Sequence, residues 1–187
     1  MRVISGSAGS IPLRTFSHDA RPTMDMIRGA IFSALGNLVI GARVLDLFAG
    51  SGAFGIEALS RGAAEAVFVD NHPKAIESIQ FNLAKTRLKG KVIREDAFGF
   101  LKRFDGTFNL IFADPPYARR PGHRNYALEL LELKELSTVI DPEGILVLER
   151  SPEKTGLNSS VWEVTRAKKY GKTEVIFCVP ARKSNAL

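Results

Sequence analysis

Short apolar runs alternate with segments of helical periodicity through most of this chain, and that alternation sets the expected architecture. Residues 43–48, 66–70, 91–94, 108–114 and 144–149 read as strands that are apolar almost throughout, the pattern of strands buried on both faces. Between them, residues 53–60, 73–87 and 126–136 repeat apolar positions at helical spacing, and a short helix carries Phe98 and Leu101. Pro73 suits the first turn of its helix. Strands alternating with helices predict an α/β domain with a parallel sheet covered on both sides. The register changes near the end. Residues 162–170 and 173–179 flank a Gly171-Lys172 turn, which predicts an antiparallel hairpin closing the sheet.

Ahead of the alternation, residues 1–5 and 11–16 predict two short strands joined by a glycine- and serine-rich loop. Residues 21–35 follow as a helix with Thr23 as its N-cap and Met24, Ile27, Ile31, Ala34 and Leu35 on one face. Arg21 and Arg28 fall off that face and are expected to point outward. The expected organisation is an N-terminal hairpin and helix over 1–40 packed on a core domain over 41–182, with a tail over 183–187.

Composition narrows the function classes. The chain has 187 residues with a net charge of +6, which favours a polyanionic partner such as nucleic acid. Its only cysteine, Cys178, excludes an intramolecular disulfide and fits a reducing cytoplasm. Cys178, His18, His72 and His123 show no metal-ligand spacing, so no metal is expected. No apolar run reaches the roughly 18 residues of a membrane span, and Gly, Ser and Pro interrupt the start of the chain where a signal peptide would be apolar.

Candidate chemistry gathers at the strand ends. Gly50, Gly52 and Gly55 give the spacing that lets backbone approach a ligand at a strand-to-helix turn, and Phe48 opens that turn. The spacing alone serves a dinucleotide or another nucleoside equally. Asp70, roughly twenty residues past the loop, is placed to accept from ribose hydroxyls, with Asn71 beside it. Asp46 decides between ligands: a carboxylate at the loop entrance, with no Lys or Arg in the loop, repels a pyrophosphate and suits a cation. S-adenosylmethionine carries a sulfonium and an ammonium and no phosphate. Asp96 then meets the adenine amino group and the Ala97 amide a ring nitrogen. After the next strand comes Asp114-Pro115-Pro116-Tyr117, a turn held nearly rigid by its prolines. The Asp114 carboxylate and the Pro115 carbonyl offer two acceptors to an exocyclic base amine while Tyr117 offers a stacking face. Methyl transfer to that amine, driven mainly by orientation, is the expected chemistry.

At these residues the chain resembles a known family. Arg21-Pro-Thr, Asp46-Leu-Phe-Ala-Gly-Ser-Gly52, Gly55-Ile-Glu-Ala-Leu-Ser-Arg-Gly62, Asp114-Pro-Pro-Tyr117 and Tyr170-Gly are similar to the RsmD family of class I S-adenosylmethionine-dependent methyltransferases, which methylate guanine N2 in bacterial 16S ribosomal RNA. The resemblance covers nearly the whole chain. It implies a Rossmann-like, mostly parallel seven-stranded sheet, donor contacts at Asp46, Gly50, Gly52, Asp70 and Asp96, and amine placement by residues 114–117. Two features depart from it: the loop at residues 6–10 is neutral where the family often has Arg-Gly, and Gly29 follows Arg28 where an acid is common.

Arg14, Arg21, Thr23, Arg28, Arg119 and Arg120 are the expected RNA-binding residues, with Arg2 and Arg124 as further phosphate contacts. A ribosomal RNA partner, possible action within a small-subunit assembly particle, a monomeric state and a cytoplasmic location complete the expectation. DNA adenine-N6 and protein glutamine methylation remain as rivals, with a nicotinamide oxidoreductase or a non-catalytic RNA-binding module from other classes. His123 reads as a loop residue and Cys178 as an inert strand residue.

Overall fold

An apolar strand with no polar side needs cover on both faces, and the helices supply it. The computed structural model describes residues 1–15, 22–117, 124–152 and 159–181. Along them run α1 (Pro22–Leu35), a 3-10 turn (Gly36–Val39), β1 (Arg43–Leu47), α2 (Ala53–Ser60), β2 (Glu65–Asp70), α3 (Pro73–Thr86), β3 (Lys91–Arg94) and α4 (Ala97–Arg103). They continue with β4 (Phe108–Ala113), α5 (Tyr126–Glu132), α6 (Lys134–Thr138), β5 (Ile140–Arg150), β6 (Trp162–Tyr170) and β7 (Thr173–Pro180). The strands form one sheet in the order β3-β2-β1-β4-β5-β7-β6. Pairing is parallel from β3 through β5, and β7 runs antiparallel to both of its neighbours. The fold is therefore α/β with a seven-stranded, mostly parallel sheet and an antiparallel end.

Alternate side chains of each strand feed two cores. Val44, Phe68, Leu110, Phe112 and Val147 pack with α1, α2 and α3, while Leu45, Leu47, Val69, Ile111 and Leu148 pack with α4, α5 and α6. The first core also takes in Val3, Ala8 and Leu13, so the N-terminal segment is part of the same packed layer. Strand β1 pairs with β2 on one side and β4 on the other. The chain thus leaves the centre of the sheet in two directions, and a crevice opens beyond the carboxyl ends of β1 and β4.

Three local expectations need correction. The N-terminal strands are reduced to a single antiparallel bridge between Arg2 and Pro12. Val3 N–H donates to the Ile11 carbonyl and Leu13 N–H to the Met1 carbonyl around that bridge, and beyond it the loop donates elsewhere: Ile4 and Ser5 to Glu57, Ser7 to the Ser60 carbonyl. Helix α1 begins at Pro22, so Thr23 lies within its first turn and is not its cap. The helix expected over 126–136 breaks at Leu133, whose backbone is extended (φ −75°, ψ 114°). Leu130, Leu131 and Leu136 are all buried in one core with Leu133 packed against it. Those positions point to different sides of a straight helix, and the break turns them to a common side.

The third glycine of the loop is fixed by packing. A Cβ on Gly55 would stand 2.3 Å from Cε1 of Phe68, a fully buried ring on β2. Gly55→Ala is expected to lower stability by about 1–3 kcal/mol through overpacking. Urea unfolding should show a lower midpoint at unchanged slope. The loss should shrink in a Phe68→Leu background, and an unshifted midpoint would mean that the ring moves aside freely.

Candidate active site

Four strand ends supply carboxylates to one cavity. It encloses about 380 Å³ and is lined by Asp46, Phe48, Gly50, Asp70, Asn71, Asp114, Pro116 and Glu149, with Met1, Thr15, Met24 and Arg28 from the N-terminal region. The glycine loop is held from two sides. Asp46, 2% exposed, accepts a hydrogen bond from Gly55 N–H at 2.9 Å, tying the end of β1 to the first turn of α2. Asp70 accepts from Gly50 N–H at 2.9 Å through one oxygen and from His72 N–H at 2.8 Å through the other. Gly52 takes the left-handed conformation (φ 75°) at the cap of α2, which glycine adopts without strain. Phe48 takes a similar one (φ 56°), which costs a bulky residue roughly 1–3 kcal/mol. Its ring packs edge-on against Phe98 and Tyr126, at 6.4 and 6.0 Å between centroids.

The electrostatics of this cavity follow from crowding acids into a desolvated space. Burial pushes the Asp46 carboxyl well above the carboxylate range; its bond from Gly55 and the more distant Arg28 oppose that, and the charges of Asp114 and Asp70 add to it. Burial likewise raises Asp114 to about 6. Glu149, 8% exposed, is raised to about 9, by burial first and then by the charge of Asp114. Arg28 carries the one cationic side chain among the lining residues, and Asp25 (3.0 Å) and the Arg2 carbonyl already engage it. Such a wall favours a cationic ligand over an anionic one.

The structure thus brings together Asp46, Phe48, Gly50, Asp70, Asn71, Asp114 and Pro116. Other expected site residues sit elsewhere. Asp96 is the N-cap of α4, accepting from Gly99 N–H at 3.0 Å, and Ala97 is buried behind it; neither lines the cavity. Pro115 is buried in the turn, while Tyr117 is 40% exposed and bonds Thr173 Oγ1 on β7 at 2.9 Å. Arg14 is exposed, with its guanidinium 5.5 Å from the Phe81 ring. Arg28 corrects the expectation of an outward arginine: it is 2% exposed, held between Asp25, the Arg2 carbonyl and Glu57, and cannot offer its charge to RNA phosphates. Arg124 is taken up by Glu129 and by the rings of Tyr126 and Phe98. Arg21, Arg119 and Arg120 lie outside the described residues, as does the side chain of Thr23.

Glu149 escaped the sequence reading, although its signal was the one that found Asp46 and Asp70: an acid closing an apolar strand. Thr15, Met1 and Met24 carried no signal, because only tertiary packing brings the N-terminal region over the crevice.

The protonation of Glu149 makes stability depend on pH with a definite sign. The folded state holds a proton that the unfolded chain releases near the ordinary value of about 4.3, so the stabilisation is full in acid and declines as pH rises toward about 9. Glu149→Gln lacks that titration. Its stability relative to the parent protein should improve between about pH 5 and about pH 8.5, as read by urea midpoints. A constant difference would mean that Glu149 is already ionised in the fold.

The geometry has counterparts in known proteins. A family model described as conserved hypothetical protein 95 matches residues 1–179. YlbH of Bacillus subtilis, named for a proposed rRNA methyltransferase activity, is 40% identical over 94% of this chain and 96% of its own. Ribosomal RNA small subunit methyltransferase D of Escherichia coli strain K12 is 32% identical over 81% of this chain and 75% of its own. Among solved structures, yhhF of Escherichia coli, described as a proposed methyltransferase, superposes with a TM-score of 0.81 at 27% identity, covering 98% of this chain and 99% of that one. The family match runs from the N-terminal segment into the closing hairpin, and the chain belongs to the conserved hypothetical protein 95 family, that of ribosomal RNA small subunit methyltransferase D.

Proposed function

We propose that this protein transfers a methyl group from S-adenosylmethionine to the exocyclic N2 amine of a guanine in small-subunit ribosomal RNA. The observation that carries the reading is that the Asp114 turn and the acid-walled glycine loop open into one cavity. The named activity of the small-subunit methyltransferase D relative supports the substrate class.

The residues present fit the donor. A sulfonium and an ammonium suit the part of the wall built by Asp46 and Asp70 beside the glycine loop. A pyrophosphate fits poorly, since Gly50 N–H, an amide that would face it in a dinucleotide site, is engaged by Asp70. When bound, S-adenosylmethionine supplies a methyl group made electrophilic by its positive sulfur. The protein's part is to orient the amine and hold its proton. Asp114 and the Pro115 carbonyl accept the two N2–H bonds, and Tyr117, steadied by Thr173, offers its ring to the base. Held so, the amine would present its nitrogen lone pair to the methyl carbon of a bound donor, and the electron pair of the carbon–sulfur bond would stay with sulfur. The surplus proton on N2 passes to Asp114, whose carboxyl, raised to about 6, accepts a proton more readily than an ordinary aspartate. The target guanine has to be unpaired or flipped out, because pairing hides its amine. Asp96 and Ala97 serve the adenine only from the rim, since they stand outside the cavity lining.

The same reading gives residues 1–40 an RNA-facing role through Arg14 and Arg21, with Arg119 and Arg120 after the catalytic turn. It takes the enzyme as a cytoplasmic monomer acting on RNA alone or on a small-subunit assembly particle. Among the described residues, no helix is long and apolar enough to cross a membrane.

Asp114→Ala should lower kcat by about 10²–10⁴-fold while donor affinity by calorimetry changes little. Equal loss of both would make Asp114 a wall of the donor pocket alone. The assay is label transfer into small-subunit RNA from cells lacking the protein; N6-methyladenosine in place of N2-methylguanosine would overturn the base assignment. Neutralising Arg119 and Arg120 together should lower the slope of log affinity against log salt by about 0.7 to 0.9 per arginine, and an unchanged slope would move the RNA path elsewhere.

A further inference from the structure

Among the described residues, two carboxyls in the cavity have no hydrogen-bond or ion-pair partner. Asp114 and Glu149 end neighbouring parallel strands, and the register that sets Ala113 opposite Leu148 brings the two residues side by side. Adjacent strands run about 4.8 Å apart, so both carboxyls reach a single planar ligand. Both line the cavity, and among the described residues neither has a hydrogen bond or an ion pair. The nearby cations are committed elsewhere. Arg28 is held by Asp25 and the Arg2 carbonyl, and Arg150 pairs with Glu174 at 2.9 Å. A desolvated carboxyl is costly to ionise, and such groups concentrate where a ligand completes them.

We propose that Glu149 is the residue that distinguishes guanine from the other amine-bearing bases, its carboxyl pairing with N1–H and O6 while Asp114 accepts from the N2 amine. The inference rests on the guanine-N2 reading above and adds the residue that reads the base. Along its pairing edge guanine presents the N2 amine, then the N1–H donor, then the O6 acceptor. A carboxylic acid carries one acceptor and one donor, and so matches N1–H and O6 together. Burial, followed by the charge of Asp114, holds Glu149 in that neutral form, with its carboxyl raised to about 9. Asp114, raised only to about 6, remains the ionised acceptor for the amine near neutral pH. Adenine with its amine at Asp114 would turn an N1 acceptor and then a C–H toward Glu149, leaving one hydrogen bond unmade. Cytosine would present two acceptors in succession. Only guanine offers a donor and then an acceptor beside its amine. A site built to hydrogen-bond its substrate rejects an analogue lacking those groups strongly, because the buried polar atoms then go unpaired.

The test compares two RNAs that differ at one base. The segment of small-subunit RNA methylated by the wild-type enzyme is made with guanosine or with 2-aminopurine at the target; the latter keeps the N2 amine and lacks N1–H and O6. Wild-type enzyme should prefer guanosine by about 100-fold or more in kcat/KM. Glu149→Leu should bring that preference within about tenfold, chiefly by losing activity on guanosine. Glu149→Gln, a neutral side chain with the same donor and acceptor, should keep the preference. Equal losses on both RNAs in Glu149→Leu would overturn the inference, and so would loss of the preference in Glu149→Gln, which also decides the matter if the leucine variant does not fold. Failure of the underlying function is separately visible: wild-type enzyme would then place no N2-methylguanosine in small-subunit RNA from cells lacking it.

Discussion

The hydrogen bond from Gly55 N–H to the Asp46 carboxylate fixes the site more than any other contact. It joins the last turn of a buried strand to the first turn of a helix, so the glycine loop between them has little freedom. Asp70 holds the loop from the neighbouring strand through Gly50 N–H, and the Phe68 ring fills the space that Gly55 leaves open. Two carboxylates are thereby brought to the cavity wall for a structural reason before any ligand is considered. Asp114 and Glu149 then follow from the sheet register alone. The acid-rich wall is a consequence of parallel strands ending together, and a cationic ligand answers the repulsion it creates.

A second buried carboxylate explains why the N-terminal region behaves as part of the domain. Glu57, fully buried on α2, accepts from Ile4 N–H at 2.7 Å, Ser5 N–H at 3.1 Å and Arg61 Nε at 2.7 Å, with Arg28 Nε 3.8 Å away. It fastens the N-terminal segment and α1 to the helix that follows the glycine loop. Met1, Thr15 and Met24 therefore form one side of the cavity. Removing one member of a buried charge cluster leaves the others uncompensated, which makes such a cluster a device for holding one arrangement.

Hydrophobic period made the sheet legible in advance. Every strand from β1 to β7 was anticipated, because strands buried on both faces announce themselves as apolar runs and the Gly171-Lys172 turn forces a reversal. The loop, its acids and the Asp114 turn were legible because strand-end chemistry is local. What the sequence hid was tertiary. Arg28 sits off the apolar face of α1 and still ends at 2% exposure, since Glu57, far along the chain and invisible as its partner, waits beneath it. Asp96 had two compatible roles, and only the backbone of α4 shows that capping Gly99 takes one of its oxygens. Leu133 broke a continuous helical pattern because the core needed leucines from more than one side.

The acids of the cavity are not equivalent, and the difference assigns them. Asp46 and Asp70 each bind loop amides, so their shape is set by the fold and they form a rigid part of the cavity wall. Asp114 and Glu149 accept nothing from the protein among the described residues, and their carboxyls remain available to a base. On the proposed reading, a positive charge arriving beside Asp46 lowers the cost of ionising its neighbours, Asp114 first because it starts nearer to neutrality. Donor binding then improves the acceptor that the amine requires. On that reading, a loop that holds the methyl donor and a turn that holds the base are coupled through desolvated charge, with no need for a moving part between them.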